Sequence, residues 1–483
     1  MPGSHATGPI ILKNFLEIPY DVLEAMNLKA AKNAETLPPV ELEKQYRAYL
    51  QEEKRIKAVT LCFSDIEGRF HMLDYDKQYF LRAADNLTFD GSSIRGFSAQ
   101  RESDLRLGID WRSIFWLPCD VFGPGKVILF ATVLNRDKSL YESDFRARLG
   151  ELEKEIKKTR GVTANVAAEV EGFLVNGLNA EQSYNKTTGF SLISTGGYYH
   201  SLPLDRLKIF IDTAAEAQRA MGFKNEKDHP EVAPSQFELN FSYAGLVRAC
   251  DMIQLYKLVC RQVAANMGMT ATFLPKPVSG VNGSGMHLNL SFFKGDKNTF
   301  YDKKGEEGLS AAAWDVISRI LNHAQELSLI LNASVNAYRR LDPHFEAPNQ
   351  IKVSSVDRSA MIRIPAGNET SARIEIRSVG PDANPYLAVY ALLRTALDGK
   401  PLAKKEGKRD RVRCLPANIH DAIRIYCASD LVKTMMGAAA HEKYVVHKQA
   451  AADRSPKELG TIVKSAEIIF HHEVTNQMLW HKF

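Results

Sequence analysis

The chain has 483 residues, 45% hydrophobic and 25% charged, the make-up of an ordinary globular protein of two or three domains. Its net charge of +5 is thinly spread, and the densest basic run, Lys404 to Arg413, also holds Glu406 and Asp410, which argues for a solvated loop against a nucleic-acid face. No apolar run approaches the roughly 20 residues of a membrane span, and the start MPGSHATGP lacks the pattern of a secretory signal.

The six cysteines form no CxxC pair, so a thiolate zinc site is not expected, whereas reduced, mostly buried thiols of a cytosolic protein are. In chain order, Tyr20 to Ala31 and Val40 to Lys57 read as helices separated by Leu37-Pro38-Pro39. Short apolar or alternating runs follow at Ala58 to Phe63, Arg69 to Tyr75, Ile114 to Leu117 and Gly125 to Val133. They predict a small sheet-rich domain ending near residue 140. Asp144 to Lys158 reads as an amphipathic helix capped by Ser143, and Val166 to Leu174 as a strand. Helices are predicted at Asp205 to Met221, stopped by Gly222, at Leu246 to Met267, and as one piece at Leu309 to Leu331. Met286 to Phe293 reads as a strand with His287, Asn289 and Ser291 on one face. Ala360 to Ile364 and Ala372 to Ser378 are further strands. Asn384-Pro385 starts a helix that Gly399 ends, and the tail beyond Pro401 is mostly helical.

Charge sits where strands should be apolar. Glu169 and Glu171 lie two apart in an otherwise apolar strand and share a face. Side by side they repel unless a cation joins them; the plain alternative is a solvated face. Glu231 and Glu238 lie in a segment with two prolines, expected to be extended and bent. Glu375 sits in Arg373-Ile374-Glu375-Ile376-Arg377, where arginine pairing and metal binding explain it equally well. His287 follows a glycine-rich turn that lets backbone approach a ligand. Five carboxylates and one histidine make an oxygen-dominated donor set suited to Mg²⁺ or Mn²⁺, in number closer to two ions than one. Arg339, Arg340, Arg358, Arg363, Arg373 and Arg377 crowd downstream. Either they hold an anion by paired hydrogen bonds, or they form surface salt bridges. Metal ligands beside arginines suit phosphoryl transfer. Neither a Walker A motif nor a kinase-type GxGxxG is present.

At these residues the sequence resembles the glutamine synthetase family, of the bacterial type I kind, over roughly residues 55 to 400 and more loosely beyond. The motifs are Phe89-Asp90-Gly91-Ser92-Ser93-Ile94, the Glu169/Glu171 strand, and His229-Pro230-Glu231-Val232-Ala233-Pro234. They continue with Lys276-Pro277 to Met286-His287, Tyr338-Arg339-Arg340 to Phe345-Glu346-Ala347-Pro348, Arg363-Ile364-Pro365, Arg373 to Arg377, and Asn384-Pro385-Tyr386-Leu387. The resemblance implies an α+β fold: an N-terminal helical extension (1–54), a β-grasp-like domain (55–140), and a large catalytic domain of the glutamine synthetase/guanido-kinase-like type (141–483).

It further implies ATP-dependent ligation of ammonia to the γ-carboxylate of glutamate through γ-glutamyl phosphate, with two or more Mg²⁺ or Mn²⁺ ions. Glu171, Glu231 and Glu238 match ligands of one ion, and Glu169, His287 and Glu375 match ligands of the other. Asn282, Gly283, Arg340 and Arg377 match glutamate-binding positions; Arg358, Arg363 and Arg373 surround the phosphates; Phe241 and Ser291 lie near the nucleotide. Asp90 and Ser93 match the loop that binds and deprotonates ammonium, and Glu346 the carboxylate that closes over the site. Relatives of this kind form two stacked six-membered rings, a dodecamer with active sites between neighbours, and no nucleic-acid or membrane partner is implied.

Some positions depart from the family pattern. Val170 replaces a proline, Gly172 an aromatic, and Asn289 a second histidine of many relatives. Between Pro401 and Ile425 there is no tyrosine for adenylylation. The competing readings are a γ-glutamyl ligase for another amine (a polyamine or methylamine), a non-catalytic scaffold, and a nucleic-acid binder. Retention of Asp90 to Ser93 favours ammonia.

Overall fold

The computed structural model describes residues 17–94, 97–98, 104–180, 184–185, 188–200, 205–342, 345, 347–403 and 412–453. Two helices open it, α1 (Tyr20–Thr36) and α2 (Pro39–Glu52). The first sheet contains β1 (Ala58–Ser64), β2 (Phe70–Asp76), β3 (Leu87–Asp90), β4 (Asp104–Ile109), β5 (Phe115–Trp116) and β6 (Lys126–Leu134). Their order is β2-β1-β6-β4-β3, with β5 on β6; β1 and β6 run parallel. Short helices α3 (Lys77–Ala83) and α4 (Cys119–Phe122) connect them. The sequence pattern missed β3 and β4: β3 is only four residues long and lies at the sheet edge, and β4 carries Asp104, Arg106 and Gly108 on its polar positions.

After α5 (Phe145–Arg160) comes the second sheet: β7 (Thr163–Asn176), β8 (Asn225–Pro230), β9 (Gln236–Phe241), β10 (Ala244–Gly245), β11 (Met269–Thr272), β12 (Met286–Lys294), β13 (Lys297–Asn298), β14 (Gln350–Ser354), β15 (Ala360–Arg363) and β16 (Ile374–Ile376). The path is β14-β15-β16-β12-β7-β9-β8, with β10 and β11 on β7 and β13 on β12. Its remaining pairs are antiparallel around a parallel β14–β15 pair. One face rests on α5, α6 (Arg206–Ala220) and α7 (Leu246–Asn266), and the almost wholly buried α11 (Pro385–Asp398) packs in turn against α5 and α7. Helices α8 (Ala311–Asn322), α9 (Ala324–Leu331), α10 (Val335–Arg340), α12 (Ile419–Ala428), α13 (Asp430–Met436) and α14 (Ala438–Asp453) complete the domain.

Several local expectations are corrected. The cap of α5 is Asp144, whose carboxylate accepts from Ala147 N; Ser143 is buried, one residue too early. The predicted helix 309–331 is two helices that meet at His323, whose Nδ1 lies 2.8 Å from Glu326 Oε1. The helix start at Asn384 holds, its side chain accepting from Tyr386 N and Leu387 N. Three cysteines, Cys62, Cys250 and Cys260, are buried, whereas Cys414 is exposed. Of the basic run, Lys404 to Arg411 lies outside the described residues. Among the described residues, no helix is long and apolar enough to cross a membrane.

The N-terminal helices are part of the packed body. Asn27 of α1 is 1% exposed. Its Nδ2 donates to Trp116 O at 3.0 Å and to Ala220 O at 2.8 Å, and its Oδ1 accepts from Trp116 N at 2.9 Å. One side chain thus joins α1 to strand β5 of the first sheet and to α6 of the second. Gly222, at φ +77°, gives the helix room, since a Cβ there would lie 2.8 Å from Asn27 Cβ. Across the same boundary, Arg146 bridges Asp110 (3.0 Å) and Asp251 (2.7 Å). Truncation of Asn27 to alanine leaves buried backbone groups without partners, at about 1–3 kcal/mol each. Asn27→Ala is therefore expected to lower the thermal unfolding temperature measurably by calorimetry; an unchanged profile would mean that α1 docks without these bonds.

Candidate active site

The second sheet's open face gathers the unusual charges, and strand register does the gathering. Residues directly opposite on paired strands share a face. His287 on β12 stands opposite Glu169 on β7, Asn289 opposite Glu375 on β16, and Glu171 opposite Glu238 on β9. Ala164, Val166, Ala168 and Val170 point the other way, into the core. Replacing a proline with Val170 leaves β7 unbroken, and Glu169 and Glu171 both reach one cavity. Gly172 has no room for an aromatic ring: a Cβ there would lie 2.6 Å from the Phe237 ring and 3.0 Å from that of Phe273.

The cavity encloses about 420 Å³. All six carried-over donors line it: Glu169, Glu171, Glu231, Glu238, His287 and Glu375. His287 Nδ1 lies 3.6 Å from both Glu169 Oε2 and Glu375 Oε1, and these three residues form one compact donor group. A second group forms around Glu231 and Glu238, but its third member is His229 rather than Glu171. Glu171 sits between the groups. Its Oε2 accepts from Gly285 N at 2.8 Å and Gln236 Nε2 at 3.3 Å, and its Oε1 lies 3.7 Å from His287 Nε2. Gly285 must be glycine here, because a Cβ would meet Arg340 Nη2 at 2.6 Å and His287 Nε2 at 2.7 Å.

Burial and the charge of Glu171 push the Glu231 carboxyl up to about 7 and that of Glu238 well above its usual range. Burial also opposes ionisation of Glu169, yet His287 and Asn289 hold its carboxyl below the ordinary range. Crowded buried oxygens with two imidazoles are a donor set that fits hard or borderline divalent cations.

Arginines rim the cavity. Asn282, Gly283, Arg340, Arg358, Arg363, Arg373 and Arg377 all line it. Arg363 Nη1 donates to Glu375 Oε2 at 2.8 Å, and Arg377 Nε lies 3.1 Å from Glu375 Oε1. Arg340 is buried and donates to Arg377 O at 2.8 Å; desolvation pulls its guanidinium down to about 10. An adjoining cavity of about 350 Å³ holds Phe241 and Ser291 with Asn240, Asn289 and Tyr243, and shares Glu169, Lys227 and Arg373 with the first. Asn289 links the two: its Nδ2 donates to Glu169 Oε1 and its Oδ1 accepts from Arg373 Nε, both at 3.0 Å. Asn240 Nδ2 likewise donates to Glu238 Oε1 at 2.8 Å.

Two expected residues stand elsewhere. Asp90 ends β3 at the edge of the first sheet and Ser93 lies in the short turn that follows; both are exposed and neither lines either cavity. Ser92 N and Oγ and Ser93 Oγ all donate to the Asp90 carboxylate, which holds it ionised. Glu346 lies outside the described residues, although Phe345 lines the main cavity. Sequence reasoning missed His229, Asn240, Gln236 and the Tyr198–Tyr199 pair at the cavity mouth. The period-2 spacing of Glu238 and Asn240 was the one available signal.

Comparison with known proteins accords with this geometry. Residues 55–136 match the family profile "Glutamine synthetase, beta-Grasp domain", and residues 142–461 match "Glutamine synthetase, catalytic domain". Curated proteins named glutamine synthetase from Staphylococcus aureus (strain MRSA252) and Thermotoga maritima are each 35% identical. The first alignment covers 83% of this chain and 93% of the relative; the second covers 86% and 96%. The solved structure "GmaS/ADP complex-Conformation 1" superposes with a TM-score of 0.74 at 25% identity, over 87% of this chain and 98% of that one. "CryoEM Plasmodium falciparum glutamine synthetase" gives 0.78 at 19% identity, over the same shares, and shows the fold. A β-grasp domain joined to a catalytic α+β domain with this site defines an enzyme of the ligase class. The chain belongs to the glutamine synthetase family.

The pH dependence of the metal-free protein follows from Glu231. Its carboxyl is raised from 4.5 to about 7 in the fold. Its contribution to stability is full below 4.5 and is lost as pH rises through about 7. Metal-free protein is thus expected to melt at a lower temperature at about pH 8 than at about pH 6. Added Mn²⁺ is expected to offset that loss at about pH 8, since it binds the ionised form. A melting temperature that rises with pH in the absence of metal would contradict this.

Proposed function

We propose that this chain joins ammonia to the γ-carboxylate of L-glutamate at the expense of ATP, through γ-glutamyl phosphate. The observation that carries the reading is two buried carboxylate–imidazole groups in one cavity whose rim is arginine. Divalent cations held there, by Glu169, His287 and Glu375 and by Glu171, Glu231 and Glu238, neutralise phosphate charge when bound. ATP enters from the side of Phe241 and Ser291, the cavity joined to the first at Glu169 and Arg373. A relative at 25% identity solved as an ADP complex supports a nucleotide at this fold.

Glutamate lies against Asn282 and Gly283, its carboxylates held by Arg340 and Arg377. A γ-carboxylate oxygen attacks the γ-phosphorus, and the bond to ADP breaks. Arg358, Arg363 and Arg373 take up the negative charge that spreads over the transferring oxygens. Ammonia then attacks the acyl carbon, and phosphate leaves in place of a poor oxide leaving group. Ammonium must first lose a proton, and the ionised Asp90, beside Ser93, is the acceptor. To Glu346 we assign the role of keeping water from the acyl phosphate.

Asp90 stands exposed on an edge strand, away from its own chain's cavity. That placement supports supply of Asp90 and Ser93 by a neighbouring copy in a cytoplasmic ring assembly, with the dodecamer of two six-membered rings as the arrangement. One observation favours a second reading. Tyr198 and Tyr199 stack 3.8 Å apart at the mouth, 43% and 56% exposed, and an alkylammonium gains from aromatic faces.

Incubation with Mg²⁺, ATP, glutamate and ammonium is expected to release phosphate and glutamine in equal amounts. Arg363→Ala is expected to lower kcat by about 10²-fold, the scale of losing one charge-stabilising donor. Parallel assays with methylamine and polyamines separate the two readings: a clear preference for a larger amine overturns ammonia as the substrate. Phosphate release indifferent to glutamate overturns both.

A further inference from the structure

The third member of the second donor group is a histidine that the glutamine-forming reading leaves without a role. His229 ends β8, beside Pro230, and is 7% exposed. Its Nδ1 lies 3.0 Å from Pro230 O. A carbonyl oxygen only accepts, so Nδ1 carries the proton and donates. The neutral ring then presents a bare lone pair at Nε2. That nitrogen faces Glu238 Oε1 at 3.9 Å and has no hydrogen-bond partner among the described residues. A lone pair aimed at a carboxylate oxygen is repulsive unless a proton or a metal cation lies between them, and 3.9 Å is too long for the hydrogen bond that a proton would make.

The ring cannot easily turn away. Tyr199 meets it edge-on at 4.8 Å and Tyr198 at 5.6 Å, and the two phenols are joined by a 2.7 Å hydrogen bond. Tyr199 adopts φ +59°, an uncommon conformation for an aromatic residue, and its N–H donates to Pro230 O. The carbonyl that fixes the imidazole is therefore itself fixed. A backbone carbonyl on one ring nitrogen and a ligand position on the other is the usual support of a metal-bound histidine.

We propose that His229 Nε2 is a direct nitrogen ligand of the ion held by Glu231 and Glu238. The donor atoms of these three residues lie within 4.8 Å of one another. Donors at about 2.1 Å from one ion stand roughly 3 Å apart when adjacent and about 4.2 Å when opposed, so a small contraction closes the site. Each of the two ions then has one imidazole, His287 through Nδ1 and His229 through Nε2, with Glu171 between them. A nitrogen donor shifts the second site from Mg²⁺ toward Mn²⁺. The inference rests on the two-ion reading of the cavity and requires no particular substrate.

The test is pulsed electron paramagnetic resonance of full-length protein, with Mn²⁺ added at a fraction of an equivalent to the Mg²⁺-loaded form. In His287→Asn, bound Mn²⁺ is expected to keep a directly coordinated imidazole ¹⁴N signal. Adding His229→Asn, which retains a donor for Pro230 O but lacks Nε2, should abolish it. His229→Asn alone should narrow the ratio of Mn²⁺ to Mg²⁺ affinity by about tenfold or more. Mn²⁺ bound to His287→Asn without an imidazole signal overturns the proposal. If the variants do not fold, X-ray absorption of wild type with two equivalents of Mn²⁺ decides: one imidazole per ion on average supports it, and one per two ions overturns it. No substrate is present, so a failure of glutamine synthesis with the nitrogen signal intact would fall on the reaction alone.

Discussion

Like charges held together on one sheet face are the constraint on which the rest depends. Glu169, Glu171, Glu238 and Glu375 come from three antiparallel strands and reach one cavity. Packing alone would not keep ionised carboxylates so close in a poorly solvated place. The sheet does it by register, because β7, β9, β12 and β16 are each anchored on the other face by apolar residues of one continuous core. A slip of one residue in β12 would turn His287 into the core and bring Met286 or Leu288 to the cavity. The stability of the helices beneath is thus what positions the chemistry above.

Around that acidic floor the counter-charges are graded. Arg363 and Arg377 engage Glu375 directly, whereas Glu169 and Glu238 are met by the amides of Asn289 and Asn240. An amide orients a carboxylate without neutralising it, so the oxygens stay available to a cation. Asn289 also holds Arg373, and this small bridge joins the acidic cavity to its neighbour. It shows how asparagine serves where many relatives carry histidine: a donor and an acceptor on one short side chain satisfy both partners.

Much of this was legible in the sequence, and the reasons for the misses are physical. Long elements such as β7, α7 and α11 were legible, the first from its alternation, the second from its long apolar run, and the third from its Asn384-Pro385 start and Gly399 stop. Strands β3, β4 and β9 escaped although each alternates: β3 has only four residues, β4 carries two charges and a glycine among its six, and β9 follows closely on Pro230 and Pro234 and buries its polar positions as well as its apolar ones. The break at His323 was invisible, since residues on both sides of it continue a helical pattern. Within the site, the carboxylates stood out because charge in an apolar strand is costly. His229 did not, because a histidine beside proline signals nothing until β8 and β9 bring it opposite Glu238. The position of Asp90, exposed and remote from its own cavity, depends on how copies assemble, which one chain's periodicity does not encode.

The crowding at Gly172 couples distant positions. Its missing side chain is the space that the Phe237 and Phe273 rings fill from neighbouring strands. Size can therefore be traded between these sites but not simply added. A descendant of this chain that acquires a large ring at 172 must surrender one at 237 or 273, and the order matters. Shrinking a phenylalanine first opens a void that a later substitution can refill; enlarging the glycine first would force β7 and β9 apart beneath Glu171 and Glu238. Adaptation at this point of the sheet is directional, and the acidic face above it sets the direction.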